Sequence, residues 1–97
     1  MKYRKKPVEI EAIRFQNNHD EVNAWCQALE PSDLLWFRDG FALDWPGEVW
    51  DKLHNTWVRV KDGQWIIHGV QGEFYTCDAA VFEQTYEPAT EGGNENG

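Results

Sequence analysis

Cysteines, long hydrophobic runs and, beyond the first residues, basic side chains are all scarce in this chain of 97 residues. The only two cysteines, Cys26 and Cys77, cannot form the multi-disulfide framework of a small secreted domain, so we expect reduced thiols and a cytoplasmic protein. No apolar run approaches the ~20 residues of a membrane span, and no signal-peptide core follows Lys5 and Lys6. The sequence therefore predicts neither a membrane protein nor a disulfide-stabilised one.

Basic side chains are concentrated at the start of the chain, at Lys2, Arg4, Lys5 and Lys6. From residue 7 onward there are 17 acidic and five basic side chains, so this part carries a charge of −12 while the whole chain carries −8. Such a field should repel nucleic acids and membranes and favour a basic protein partner. The alternative is that the acids only keep a small aromatic-rich protein soluble.

Aromatic residues are plentiful, with six Trp, five Phe and three Tyr. They can supply the core of one small domain, because each buried aromatic side chain removes on the order of 150–250 Å² from water. We predict a single domain over residues 1–88. Residues 89–97 are mostly Gly, Asn and Glu and should form a disordered tail.

The stretch from residue 57 to residue 87 carries the clearest strand patterns. Val58 and Val60 alternate with two basic residues, as in a strand with one buried face, and Asp62-Gly63 predicts the turn that follows. Residues 65–67 form a continuous apolar run typical of a strand covered on both sides. Gly69 and Gly72 indicate a hairpin leading into the next strand.

The remaining elements follow from shorter patterns. Val8, Ile10 and Ala12 predict a strand, and a change of apolar phase before Ile13 suits a bulge. Asn18 is expected to cap a helix whose apolar stripe ends before Pro31; that stripe consists of Val22, Trp25, Cys26 and Leu29. Leu34 to Trp45 reads as a hairpin turning at Asp39-Gly40, and Asp78 should cap a short helix over residues 79–84.

Together these elements predict an α+β fold. We expect a small curved, mostly antiparallel sheet or half-open barrel, with one helix of about ten residues and a short C-terminal helix.

Two blocks of sequence resemble a family of small uncharacterised proteins of tailed phages and prophages. They are the N-terminal K-Y-R-K-K-P-V-x-I-E-A-I and the C-terminal W-I-I-x-G-V-x-G-E-F-Y-x-C followed by F-x-x-T-Y-E-P. The middle, from Asn17 to Thr56, carries no such resemblance. The resemblance implies a phage origin, and it implies no catalytic residues.

No pattern of catalytic or metal-ligating residues stands out. Cys77 and His68 are the candidates for a nucleophile and its base, or for metal ligands together with His54 and Asp78, but neither spacing matches a known zinc pattern. The G-V-Q-G segment lacks the Lys and the Ser or Thr of a phosphate-binding loop. We therefore expect no enzyme, no metal and no cofactor.

A partner-binding surface is the better candidate site. Tryptophan is enriched at binding hot spots, and Trp45 and Trp50 are interleaved with acidic residues. The candidate residues are Asp39, Asp44, Trp45, Glu48, Trp50 and Asp51. The alternative is that all six indoles belong to the core.

These observations support three hypotheses for function. In the first, a phage accessory protein binds and inhibits a basic host factor, such as a defence nuclease, through an acidic, Trp-containing surface. In the second, the protein sequesters a nucleotide signal, although the negative field disfavours phosphorylated ligands. In the third, it is a minor structural component of the virion.

Overall fold

The computed structural model describes residues 1–3 and 9–88. These residues form two helices and six strands. The strands make up two three-stranded antiparallel sheets, which are not closed into a barrel. In chain order the elements are β1 (Glu11–Arg14), α1 (His19–Leu29), β2 (Phe37–Ala42), β3 (Trp45–Asp51), β4 (Thr56–Val60), β5 (Trp65–His68), β6 (Phe74–Cys77) and α2 (Ala79–Thr85). The predicted α+β fold with antiparallel pairing and two helices is confirmed, with the strands divided between two sheets.

The first sheet has the order β1-β5-β6 and is covered on both faces. Ile13 is opposite Ile66, and these residues face the main core. Trp65 and Ile67 alternate with Ile66 and so face the other side, where the Trp65 ring stacks on Phe82 of α2. The bulge expected before Ile13 is absent, since β1 pairs with β5 without interruption. Apolar residues occur on both faces of β1 because each face packs against other apolar side chains.

The second sheet has the order β2-β3-β4 and corrects the predicted hairpin. Its first turn lies at Leu43-Asp44, so that Ala42 is opposite Trp45, whereas Asp39-Gly40 lies within β2. The register shifts between Asp39 and Ala42, which marks a bulge. The prediction that the chain turns at Asp39-Gly40 was therefore wrong.

Helix α1 agrees with its predicted stripe. Val22 and Cys26 are fully buried, while Trp25 and Leu29 pack against the core from its edge. Asn18 is the N-cap residue but its side chain does not cap the helix: it accepts a hydrogen bond from the Gln16 backbone and donates one to Glu21. It therefore stabilises the preceding turn.

The main core lies between the two sheets and α1. It contains Phe15, Val22, Cys26, Phe37, Val49, Val60, Ile66 and Phe74. Phe15 packs on Phe37 with ring centroids 5.1 Å apart, and Trp25 and Trp36 both pack on Phe74. Aromatic packing thus connects the helix to both sheets.

The structure of the C-terminal part agrees closely with the prediction from the sequence. Gly63 and Gly72 have φ of 91° and 81°, which confirms the two glycine turns. Asp78 is the N-cap residue of α2, but its side chain does not cap the helix and accepts a hydrogen bond from Gln64 instead; α2 extends one residue beyond the predicted end at Gln84. The predicted contribution of Val8 to a strand and the predicted tail over residues 89–97 lie outside the described residues. In the described part, neither helix is long and apolar enough to cross a membrane.

Candidate partner-binding face

The six predicted site residues lie close together in the chain's second sheet, but they do not share one surface. Asp39 is in β2, Asp44 is in the β2–β3 turn, and Trp45, Glu48, Trp50 and Asp51 are in β3.

Only two of the four acidic residues predicted for the site are exposed. The Asp39 side chain is 87% exposed and Asp44 is exposed as well. In contrast, Glu48 and Asp51 are each only 7% exposed. The expectation that all four carboxylates are presented to a partner was therefore wrong for Glu48 and Asp51.

Asp51 is buried because it organises the turn that follows β3. Its carboxylate accepts hydrogen bonds from the backbone N–H groups of Leu53 and His54, at 3.0 and 3.3 Å, and from the His54 ring at 2.7 Å. Burial raises the pKa of Asp51, but these hydrogen bonds outweigh it and the pKa is lowered. Asp51 is thus a structural carboxylate.

Glu48 is buried on the outer face of the second sheet, opposite the core. The register aligns Arg38, Glu48 and Arg59 in one row across β2, β3 and β4. Arg38 Nε donates a hydrogen bond to Glu48 at 2.9 Å, so the carboxylate is neutralised within the sheet. This charge-assisted hydrogen bond is largely shielded from solvent, and it fixes the Arg38 side chain.

Three tryptophans surround this row of charges. Trp50 and Trp57 are cross-strand partners, with ring centroids 5.4 Å apart in an edge-to-face arrangement. The guanidinium of Arg38 lies 3.9 Å from the centre of the Trp57 ring, and that of Arg59 lies 4.0 Å from the centre of the Trp45 ring. We call this surface the Trp–Arg face; it consists of Arg38, Trp45, Glu48, Trp50, Trp57 and Arg59.

The indoles are neither all core nor fully exposed. All six tryptophans of the chain are half-buried. Trp25 and Trp36 pack against the main core and Trp65 packs on α2. The other three belong to the Trp–Arg face, which is the one place where several indoles meet on a single sheet surface.

The Trp–Arg face is not acidic, because it contains two guanidinium groups and one carboxylate. Cation–π contacts of this type contribute roughly 0.5–1 kcal/mol each at exposed sites. Their larger effect here is geometric, since each arginine holds an indole in place. The face is thus an ordered patch of aromatic and guanidinium groups.

The sequence-based prediction missed Arg38 and Arg59 as members of this surface. A usable signal was present for β4, because alternation places Trp57 and Arg59 on the face opposite Val58 and Val60. No comparable signal existed for Arg38, whose position depends on the register of β2 against β3.

A shallow, open depression lies beside the β2 bulge. It has a volume of about 470 Å³ and is lined by residues that include His19, Asp39 and Leu43. His19 Nε2 donates a hydrogen bond to the carbonyl of Pro46 at 2.8 Å and lies 3.4 Å from the Asp39 carboxylate. The histidine therefore links α1 to the start of β3.

The structure separates the residues that were considered for catalysis. Cys77 is the cross-strand partner of Trp65, three positions along β5 from His68, and alternation directs Cys77 and His68 to opposite faces. Burial raises the pKa of the Cys77 thiol and the nearby Asp78 carboxylate raises it further, so its thiolate is disfavoured. Within residues 1–3 and 9–88, no group of three or more His, Cys, Asp and Glu side chains is placed to hold a metal ion.

His68 instead belongs to a polar cluster with Glu30 and Lys52. Glu30 accepts hydrogen bonds from His68 Nε2 at 2.8 Å and from Lys52 Nζ at 3.0 Å. The bonds from His68 and Lys52 lower the pKa of Glu30. The cluster connects the end of α1 to β5 and to the β3–β4 turn.

Comparison of the chain with protein-family models, with curated proteins and with solved structures found no match to any of them.

Proposed function

We propose that this chain is a non-enzymatic binding protein whose Trp–Arg face contacts a protein partner. The observation that carries the proposal is the arrangement of three half-buried indoles and two stacked guanidinium groups on one sheet surface. Tryptophan and arginine are the residue types most enriched at energetically dominant interface positions. Because these side chains already hold one another in place, less conformational entropy is lost when a partner binds.

The proposed partner is a host protein, and the proposed effect is inhibition of that protein, for example a defence nuclease. This part is supported by the resemblance of the two terminal blocks to tailed-phage proteins. Asp44, exposed in the β2–β3 turn, supplies negative charge for a basic partner, whereas Asp39 lies beside His19 on the other side of β2. Glu48 and Asp51 present no free negative charge to the partner, because both are buried and hydrogen-bonded.

The test is affinity capture from a host lysate followed by titration calorimetry with the captured protein. We expect Trp50→Ala to weaken binding about 30-fold or more, as is usual for an interface hot spot. Arg59→Gln should weaken it as well. The matched controls are Val70→Ser, at an exposed turn position, and Lys61→Gln, which removes the same charge just beyond β4.

Equal binding by the wild type and both face variants would contradict the proposal. Two further measurements address the other hypotheses. Stabilisation by nucleotides in a thermal-shift screen would favour a ligand-binding protein, and recovery of the chain from purified virions by mass spectrometry would favour a structural role. Binding of single-stranded DNA to the Trp–Arg face would also contradict a protein partner, since indoles and arginines can stack on bases.

A further inference from the structure

A groove of about 880 Å³ lies on the side of the first sheet that faces away from the main core, between the start of β1 and helix α2. Its lining comes from residues 9–12, from Trp65 of β5, and from α2 and the residues that follow it. The groove shares no residue with the Trp–Arg face.

One side of the groove is aromatic. Trp65 and Phe82 stack almost parallel, with ring centroids 4.1 Å apart and an interplanar angle of 7°. Tyr86 extends the stack, its ring centroid lying 4.9 Å from that of Phe82. Three rings from a strand and a helix therefore form a continuous wall.

The rest of the groove is strongly acidic. Four of its lining residues are glutamates with exposed side chains, namely Glu9, Glu11, Glu83 and Glu87. None of the four is in an ion pair with another described residue, and none of the described lining residues is basic. Like charges kept together in this way repel one another, and a bound cation would remove that repulsion.

We propose that this groove binds a basic peptide segment of another protein, with a lysine or arginine side chain placed against the aromatic wall. The aromatic wall offers an apolar surface on which the aliphatic stem can pack, while the cationic head reaches the carboxylates that line the rest of the groove. The four carboxylates select a positive charge and exclude phosphorylated ligands. Charge complementarity thus determines which ligand binds this second surface, which is separate from the Trp–Arg face.

The experiment uses the full chain and an acetylated, amidated octapeptide of alternating lysine and serine. Binding is measured by titration calorimetry at low and at moderate ionic strength, and the site is mapped by NMR. We expect the largest shifts at the Trp65 indole N–H and at the backbone amides of residues 82–87. Affinity should fall as salt rises, because exposed charges are screened.

Matched double variants distinguish binding in the groove from attraction by the overall negative charge of the protein. Glu9→Gln with Glu83→Gln should weaken peptide binding about twofold to thirtyfold, the range expected for two solvent-exposed ion pairs. Asp20→Asn with Asp33→Asn removes the same charge from exposed positions outside the groove and should change affinity less than twofold. Both double variants should unfold at temperatures close to that of the wild type.

Several outcomes would overturn this proposal. The same octapeptide with acetyl-lysine in place of lysine should not bind, and equal binding of the two peptides would remove the role of charge. Equal weakening by the two double variants would show a non-specific field effect. NMR shifts confined to the Trp–Arg face would show that the peptide binds there and not in the groove. A dimer in sedimentation experiments, with the groove buried, would show that a second copy of this chain occupies the groove instead of a basic peptide.

Discussion

The Asp51 carboxylate binds the Nδ1 atom of His54 at 2.7 Å and closes the turn between β3 and β4. The same carboxylate accepts the backbone N–H groups of Leu53 and His54. This turn also requires positive φ at Asn55, which adopts 58°. One buried acid thus holds together the connection between two strands of the Trp–Arg face.

Charge reversal should therefore distinguish Asp51 from Asp44. Asp51→Lys removes three hydrogen bonds and places a cation in a sheltered position, so we expect a loss of about 2–4 kcal/mol in the free energy of unfolding. Asp44→Lys, at an exposed turn position, should change it by less than about 0.5 kcal/mol. Urea denaturation of both variants measures this difference, and equal midpoints would contradict the structural role of Asp51.

Substitution of Glu30 should loosen the junction between α1, β5 and the β3–β4 turn. Glu30→Gln keeps the size of the side chain but removes its charge, and we expect a loss of about 1–2 kcal/mol in the free energy of unfolding. Glu83→Gln, at an exposed position of α2 that makes no side-chain hydrogen bond or ion pair with another described residue, is the control and should have a small effect. If the two variants are equally stable, the bonds of Glu30 to His68 and Lys52 contribute nothing measurable.

Stability should also fall at acid pH through these two carboxyl groups. The folded protein lowers the pKa of Asp51 from its ordinary value of 3.8 and that of Glu30 from 4.5. A group with a lowered pKa contributes stability that is complete above its ordinary pKa and is lost as pH falls through the lowered value. Thermal unfolding from pH 6 down to about pH 3 should show a decline that is shallower in Glu30→Gln, whereas identical pH profiles would contradict this assignment.

Gly40 is expected to be the glycine least tolerant of substitution. A Cβ atom at this position would overlap the backbone carbonyl oxygen of Trp45, and backbone cannot move aside without disrupting the bulge. We expect Gly40→Ala to cost about 2 kcal/mol or more. Gly72→Ala should cost about 1 kcal/mol, because φ is 81° but the nearest atom is the flexible end of Lys52. A smaller loss at Gly40 than at Gly72 would show that the bulge is not as tight as described.

The two cysteines should differ in reactivity with a thiol reagent. Burial raises the pKa of Cys26 to about 12, and its side chain is inaccessible, so it should react only when the protein unfolds. Cys77 is half-buried and its pKa is raised by burial and by Asp78, so it should react more slowly than cysteine in a short peptide. Absorbance kinetics of the wild type and Cys77→Ser separate the two thiols. Rapid modification of Cys77 would instead indicate an activated thiol and would argue against a non-enzyme.

Local structure was predictable from the sequence because alternation and helical spacing report burial directly. The stripe that contains Val22 and Cys26 gave the position of α1, and the alternation around Val58 and Val60 gave β4. The glycine turns at Gly63 and Gly72 were also predictable, since positive φ strongly favours glycine.

Pairing was harder to predict because it depends on competition between segments that are distant in the chain. Asp39-Gly40 has the residues of a tight turn, yet the structure turns at Leu43-Asp44. With that turn, Phe37 is opposite Val49, and both residues enter the core. Burial of these two apolar side chains outweighs the local preference of the Asp-Gly dipeptide, whose glycine serves the bulge instead.

For the candidate sites, the sequence determined that acids and tryptophans are concentrated around β3, and the alternation of β4 indicated which of its residues face outward. Only the tertiary structure decided which acids remain exposed. Glu48 lies beside Arg38 through the β2–β3 register, and Asp51 is satisfied by the turn that follows it. The groove between β1 and α2 likewise exists only in three dimensions, since its glutamates come from opposite ends of the described chain. The physical reason is that the free energy of a charged side chain depends on the neighbours that folding brings to it, and these are set by long-range packing.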